Sequence, residues 1–336
     1  MAIRIGISGW RYAPWRGVFY PPGLPQRQEL EYASRLFPSI EINGSFYSLQ
    51  APSSWQQWRD HTPDHFVFAV KGPRYITHLL RLRVAGVALA NVFASGVLLL
   101  GAKLGPLLWQ FPPNFRFEAE RMSAFFAGLP HDMRSAIALA RRCDPERMRG
   151  RSAWPGEANS HPIRHAVEIR HDSFRDPAFI ALLRRHGIAL VVADTASRWP
   201  LLEDVTADFL YLRLHGDEVL YTSGYSDEAF GDWARRIRRW ADGGEPGDAR
   251  KVDDASAAAA GSRDVFCYFD NDVKVHAPFD AHALMRRLGA DVPVHMPDLR
   301  RDRNALPFEP RADAAGLRPR KTTKERSPAP PSATPR

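Results

Sequence analysis

Several short stretches alternate charged and apolar residues so that the charges share one face. Ile40-Glu41-Ile42-Asn43, Val167-Glu168-Ile169-Arg170 and Tyr211-Leu212-Arg213-Leu214-His215 repeat the pattern. Ser8 shares a face with Gly6 and Arg4, Tyr268 shares one with Asp270, and Lys71, Gln110 and Asp194 close three further apolar runs. These residue types support acid–base chemistry on an anionic or polyhydroxylated ligand. Lys71, Arg170 and Arg213 would hold the anion, Glu168 or Glu41 would act as base, and His215 as acid or electrophile. Asp194 and Asp270 are further candidate carboxylates. Ser8, Trp10, Asn43, Gln110, Tyr268 and Asn271 are candidate ligand contacts.

Two other readings compete. Glu168, Asp194, His215 and Asp270 are hard or borderline metal ligands on neighbouring runs, so the alternative is a nuclease- or isomerase-like barrel enzyme with a divalent metal as cofactor. Against it, Arg170 and Arg213 alternate with the proposed ligands and would repel a cation, and no HxH or HExxH spacing occurs; no cofactor is therefore predicted. The bland reading is an ion-pair network that merely fills the interior, but Val, Ile and Leu fill a barrel at less cost.

Histidine titrates near neutrality, which makes His78, His171 and His215 candidates for proton transfer, His215 first because it ends an inward row with Arg213. His161, His186 and His282 read as surface residues. The aromatic loop Trp10, Tyr12, Trp15, Phe19 and Tyr20 reads mainly as packing, with Trp10 alone close enough to a strand end to wall a site.

Eight β-rich runs must position these groups: Ile3–Gly9, Ser39–Asn43, Phe66–Lys71, Leu104–Gln110, His165–Arg170, Ile188–Asp194, Phe209–His215 and Val265–Asp270. Helical spacing appears between them at Glu29–Leu36, Phe174–His186, Asp227–Ala241 and Asp280–Leu288. Strand and helix alternating eight times predict a single α/β chain folded as a TIM-type (β/α)8 barrel. A doubly wound open sheet fits less well, because no Gly-rich phosphate turn follows the first strand. In a barrel the apolar face meets the helices, so the polar set points inward and gathers at the C-terminal strand ends.

The barrel is expected over residues 1–300, with Arg141–Pro162 and Asp242–Arg263 as inserted surface loops and residues 301–336 as a disordered Pro-rich basic tail. The formal net charge is +8; residues 309–336 hold seven Lys/Arg and three Asp/Glu, which accounts for half of it. The remaining excess permits a nucleic-acid partner without demanding one, and a non-catalytic ligand- or nucleic-acid-binding protein stays open. Two separated cysteines, Cys143 and Cys267, suggest neither a disulfide framework nor a zinc site. Val84 to Ala102 carries no charge, but Asn91, Ser95 and three glycines favour a buried barrel helix over a membrane span. Met1 runs straight into the first strand with no signal-like segment, so the expected location is the cytoplasm.

The sequence resembles the domain of unknown function family 72, the YecE-like proteins. The resemblance rests on Gly6-Ile7-Ser8-Gly9-Trp10 with Phe19-Tyr20-Pro21, Glu41-Ile42-Asn43 with Ser45-Phe46-Tyr47, and Lys71. It continues in Leu104 to Pro113, Glu168-Ile169-Arg170-His171, Asp194, Tyr211 to Gly216 and Tyr268 to Asn271. It spans roughly residues 3–290 in order and implies a TIM-type barrel. It supplies no reaction; a hydrolase, lyase or isomerase is the expectation from fold and site composition. Where the family usually shows Phe-Asn-Asn, this chain has Phe269-Asp270-Asn271, adding a negative charge.

Overall fold

The computed structural model describes residues 2–254, 261–271 and 275–290. The predicted basic tail, and the boundary at residue 300, lie outside them. Eight parallel strands form a closed barrel in sequence order. They are β1 (Ile3–Ser8), β2 (Ser39–Ile42), β3 (Val67–Lys71), β4 (Leu104–Gln110), β5 (His165–Glu168), β6 (Ala189–Asp194), β7 (Phe209–Leu214) and β8 (Asp264–Phe269). The ladder from Ile3↔Val265 to Ile7↔Phe269 joins β1 to β8 and closes the sheet, which rules out the open doubly wound alternative.

The helices are α1 (Glu29–Leu36), α2 (Gly44–Tyr47), α3 (Pro52–Asp60), α4 (Gly86–Ala94), α5 (Ala119–Ala127), α6 (Met133–Ala140), α7 (Pro177–His186), α8 (Asp227–Ala241) and α9 (His276–Arg287). Their ends carry the expected signals. Asp176 accepts a hydrogen bond from Ala178 N at the start of α7, and Gly187, at φ 60°, ends it in the left-handed conformation. Ser226 caps α8, whose acidic first turn and basic last turn complement the helix dipole. The uncharged run Val84 to Ala102 is no single helix. α4 ends at Ser95, Gly96 turns at φ 104°, and a 3-10 stretch follows over Val97–Lys103. Among the described residues, no helix is long and apolar enough to cross a membrane.

Strand parity divides the core in two. Ala69, Leu108, Ala166, Ala189, Val191, Ala193, Phe209, Tyr211, Phe266 and Tyr268 fill the barrel interior. Their opposite-parity neighbours, such as Val70, Trp109, Val167, Leu190, Leu212 and Cys267, pack outward beneath the helices. This alternation decides which strand-end side chains face the mouth. The aromatic loop after β1 packs as expected: Trp15, Phe19 and Tyr20 are buried against one another and against Tyr32 and Phe37. The loop Asp242–Arg263 is tied to the body by buried acids. Glu203 accepts from Arg250 N, and Asp204 from Val252 N and Asp253 N. His282, expected at the surface, is buried on the inner face of α9, because its turn packs against the barrel with Ala281 and Leu284.

Candidate functional site

The strand ends converge on one guanidinium. Arg213, fully buried on β7, donates from Nε and Nη2 to Glu41 at 3.1 and 3.0 Å. It donates from Nη1 to Glu168 at 2.7 Å and from Nη2 to Asp270 at 2.6 Å. Glu41 also accepts from Ser8 Oγ and from Tyr211 OH, each at 2.6 Å. Glu168 accepts from Gln110 Nε2 at 2.9 Å and from Arg170 Nε at 2.8 Å. Asn43 Nδ2 donates to Ser8 Oγ at 2.9 Å. Two-residue alternation delivers this layer directly: Ala69, Leu108, Ala166, Tyr211 and Tyr268 face inward, so Lys71, Gln110, Glu168, Arg213 and Asp270, two residues on, do the same.

Five expected residues sit elsewhere. Asp194 has the parity of Leu190 and Val192 and turns outward, where its carboxylate accepts from Tyr225 OH at 3.0 Å and burial raises its pKa. Asn271 follows the outward parity of Phe269 and donates to Asp280 on α9 at 2.7 Å. Tyr268 lies one layer below the mouth, hydrogen-bonded to Ser39 Oγ at 2.6 Å. His215 points inward but is fully buried beneath the mouth, with Nδ1 3.2 Å from Asp270 Oδ2 and too poorly aligned for a hydrogen bond. Burial, then Arg213, lowers its pKa. His171 caps the short turn after β5 by accepting from Ser173 N.

Above the network lies a cavity of about 680 Å³. Trp10, Phe46 and Trp58 give it an aromatic wall, and Trp10 meets Trp58 edge-on with ring centroids 5.4 Å apart. Its charged lining consists of Arg11, Lys71 and Arg170 with one carboxylate, Asp270. Glu41 and Glu168 lie beneath it, fully buried. Their oxygens are occupied by donors, which suits them to orienting Arg213 and Arg170 rather than to taking a proton. Burial raises the pKa of Glu168, but Arg170 and Arg213 more than offset this and hold it well below the usual carboxylate range. Asp270 is likewise held low against burial by Arg213 and His215.

Two groups, Lys71 and Arg170, keep unused capacity toward the cavity. Lys71 is nine-tenths buried at the end of β3, with Nζ 4.6 Å from the centre of the Phe46 ring and no hydrogen-bond or ion-pair partner among the described residues. Burial, then the charge of Arg213, lowers its pKa. Arg170 stacks on Trp199 at 3.8 Å and spends only Nε on Glu168. Asn43 Oδ1 is buried without a donor among the described residues. Gly72 fixes the exit of β3: a Cβ there would lie 2.5 Å from the Trp109 ring, so only glycine lets the strand end beside it.

Two further polar lining residues, His78 and Tyr221, lie off the strand ends. His78, on the short helical turn after β3, bonds through Nδ1 to Thr77 Oγ1 at 2.9 Å, and burial followed by Arg170 lowers its pKa to about 4. Tyr221, held at φ 62°, stands edge-on to His215. His78 was legible as a titratable residue near Lys71; nothing in the sequence marks Tyr221.

Among the described residues, no three His, Cys, Asp or Glu side chains gather in a way that could hold a metal ion. The four proposed ligands are split by the outward turn of Asp194, and the inward three share their oxygens and nitrogens with Arg213.

Comparison with known proteins places this geometry in a family. A family profile described as "Protein of unknown function DUF72" matches residues 4–303. The UPF0759 protein YunF of Bacillus subtilis (strain 168) is 29% identical over 136 residues, which cover 39% of this chain and 47% of YunF. The UPF0759 protein YecE of Escherichia coli (strain K12) is 30% identical over 113 residues, covering 34% of this chain and 39% of YecE. The chain thus spans less than half the length of the curated relatives it matches. Among solved structures, a DUF72 family protein from Thermotoga maritima MSB8 has a TM-score of 0.64 at 24% identity, covering 86% of this chain and all (100%) of that one. A DUF72 family protein from Enterococcus faecalis V583 has a TM-score of 0.58 at 16% identity, covering 87% and 97%. Both show the same fold.

Proposed function

The chain belongs to the DUF72 family, and we propose that in this member the barrel mouth binds an anionic small molecule and moves a proton on it. One observation carries the reading. Each carboxylate of the mouth has a cation, whereas Lys71 Nζ and the terminal nitrogens of Arg170 remain unspent and border the cavity. Burying a charge without a partner is costly, so a negative group on the ligand completes the arrangement. The aromatic wall suits an apolar face of that ligand.

The same binding supplies the acid–base chemistry. Besides burial, Arg170, Arg74 and Lys71 depress His78, leaving it neutral at pH 7. An anion that neutralises Arg170 and Lys71 removes part of that depression, so ligand binding makes His78 a stronger base. Asp270 stays ionised beside Arg213 and offers one oxygen to the cavity.

Thermal unfolding at low ionic strength tests the reading with citrate and glycerol 3-phosphate against glucose and glycerol. An anion at about 100 times its Kd adds roughly 2.7 kcal/mol of stability. The expected result is stabilisation by the anions alone, lost in Arg170→Gln. Equal stabilisation by neutral polyols, or an anion effect that survives Arg170→Gln combined with Lys71→Met, contradicts it.

A further inference from the structure

We propose that Lys71 is a nucleophile that forms an imine with a carbonyl compound bearing a carboxylate or phosphate, the anionic group lying on Arg170. This rests on the anion-binding reading and assigns it a substrate class.

The chain meets nearly all its need for positive charge with arginine: the sequence has 40 arginines and six lysines. Arginine cannot lose its proton in a protein, whereas a buried lysine can. The neighbouring mouth cations, Arg170 and Arg213, are arginines that hold carboxylates. At the mouth, lysine stands where the cation has no carboxylate to hold.

Among the described residues, the other buried lysine shows what a structural role looks like. Lys103 donates to Arg59 O, Thr62 O and Thr62 Oγ1 at 2.6, 2.7 and 3.3 Å, and so spends its hydrogens on fixed acceptors away from the cavity. Lys251 pairs with Glu245 at 3.1 Å. Lys71 has only the Phe46 ring face, a contact that leaves the nitrogen open on its cavity side. Its position is fixed from behind: Lys71 O accepts from Ser45 Oγ at 2.6 Å, and Gly72 N donates to Leu108 O at 2.8 Å. Desolvation also favours the neutral amine, the form that attacks.

In the step, the nitrogen lone pair of neutral Lys71 forms a bond to the carbonyl carbon, and the carbonyl π pair moves to oxygen. Proton transfer from nitrogen to oxygen gives a carbinolamine. Loss of water, the leaving oxygen taking a second proton, gives the protonated imine. That proton comes from solvent, which reaches the amine through the cavity. No electrons are gained or lost, and no co-reactant is needed. The positive imine then lies in a layer where Asp270, Glu41 and Glu168 supply negative charge.

The test is trapping. The full-length protein is incubated near pH 7 with glyoxylate or pyruvate, reduced with sodium borohydride, digested and mapped by mass spectrometry. Lys71, whose nitrogen is open to the cavity and whose neutral form is favoured by desolvation, should carry the dominant label, well above Lys251, whose nitrogen is paired with Glu245. Lys103 should stay unlabelled because its hydrogens are spent. Lys71→Arg, followed by circular dichroism to verify folding, should lose the adduct. Label spread evenly over the lysines, or no adduct at Lys71 in the wild-type protein, overturns the proposal. If citrate still stabilises that protein, imine formation alone has failed. If an adduct forms at Lys71 while no anion stabilises the protein, the nucleophile stands and the anion-binding reading fails.

Discussion

Replacing Arg213 by Met should be among the most damaging single changes at the mouth, and the reason lies in what remains behind. The substitution keeps most of the side chain's length and removes its charge. Glu41 keeps Ser8 and Tyr211 as donors, Glu168 keeps Gln110 and Arg170, and Asp270 keeps only the poorly aligned His215. Breaking one buried ion pair from one side costs about 3–5 kcal/mol. Here one guanidinium serves three carboxylates, two of them fully buried, so the upper end of that range applies. About 5 kcal/mol is a large share of the roughly 5–15 kcal/mol that holds a domain folded, and for a chain of this size lowers the Tm by roughly 10 °C. The loss should depend on pH in a definite direction. In the wild-type protein Glu168 and Asp270 titrate below their unfolded values, so they stabilise the fold at neutral pH and cease to do so as pH falls through their folded values. Without Arg213 their folded pKa values rise, they oppose folding at neutral pH, and protonation relieves that opposition. Urea unfolding at pH 7 and near pH 5 should therefore show the gap between variant and wild type narrowing in acid. A loss below about 1 kcal/mol, or a gap that widens in acid, would refute the claim that Arg213 neutralises the layer.

The remaining predictions are more local. Gly72→Ala should destabilise by about 1–3 kcal/mol through overpacking, since its Cβ would lie 2.5 Å from the Trp109 ring, and should weaken citrate binding by displacing Lys71; an unchanged Tm would contradict the packing. Trp15→Ala should cost about 3–5 kcal/mol as a core deletion and leave the stability increment from citrate intact; loss of that increment would place Trp15 in the site. His78 should titrate near its folded value of about 4 by NMR, and citrate should move that value upward; no movement would remove it from the site. Because its folded pKa lies below its unfolded value of 6.5, His78 makes the fold lose stability as pH falls from about 6.5 to about 4, and His78→Gln should flatten that part of the curve.

The barrel was legible because strand and helix alternation is a local signal repeated eight times. Leu104–Gln110 is the same in sequence and structure, and α1 and α8 occupy the predicted segments Glu29–Leu36 and Asp227–Ala241. Ends were less so. α9 begins at His276, ahead of the predicted Asp280, because no side-chain cap marks its start. α3 offers few apolar positions, with Trp55 and Trp58 as its buried residues, and was not singled out. Parity brought Glu41, Lys71, Gln110, Glu168, Arg213 and Asp270 to one layer. The same rule would have turned Asp194 and Asn271 away, since each is an odd number of residues from an inward neighbour, Ala193 and Tyr268 respectively. What alternation could not give was depth. Tyr268, His215, Glu41 and Glu168 share the inward face with Lys71 but lie below the cavity, and that distinction depends on barrel stagger and on the loops closing over the top. Tyr221 reaches the site from a loop and Phe46 from the short helix α2, where strand periodicity carries no information.

The central claim is that an anionic group completes the charge pattern between Lys71 and Arg170. A crystal structure of the protein grown at low ionic strength with citrate or glycerol 3-phosphate tests this most directly. Density for the negative group is expected within hydrogen-bonding reach of Lys71 Nζ and the terminal nitrogens of Arg170, above Gln110 and beside Asn43. A ligand bound through its hydroxyls alone, or an anion seated away from both cations while the cavity holds only solvent, would contradict it.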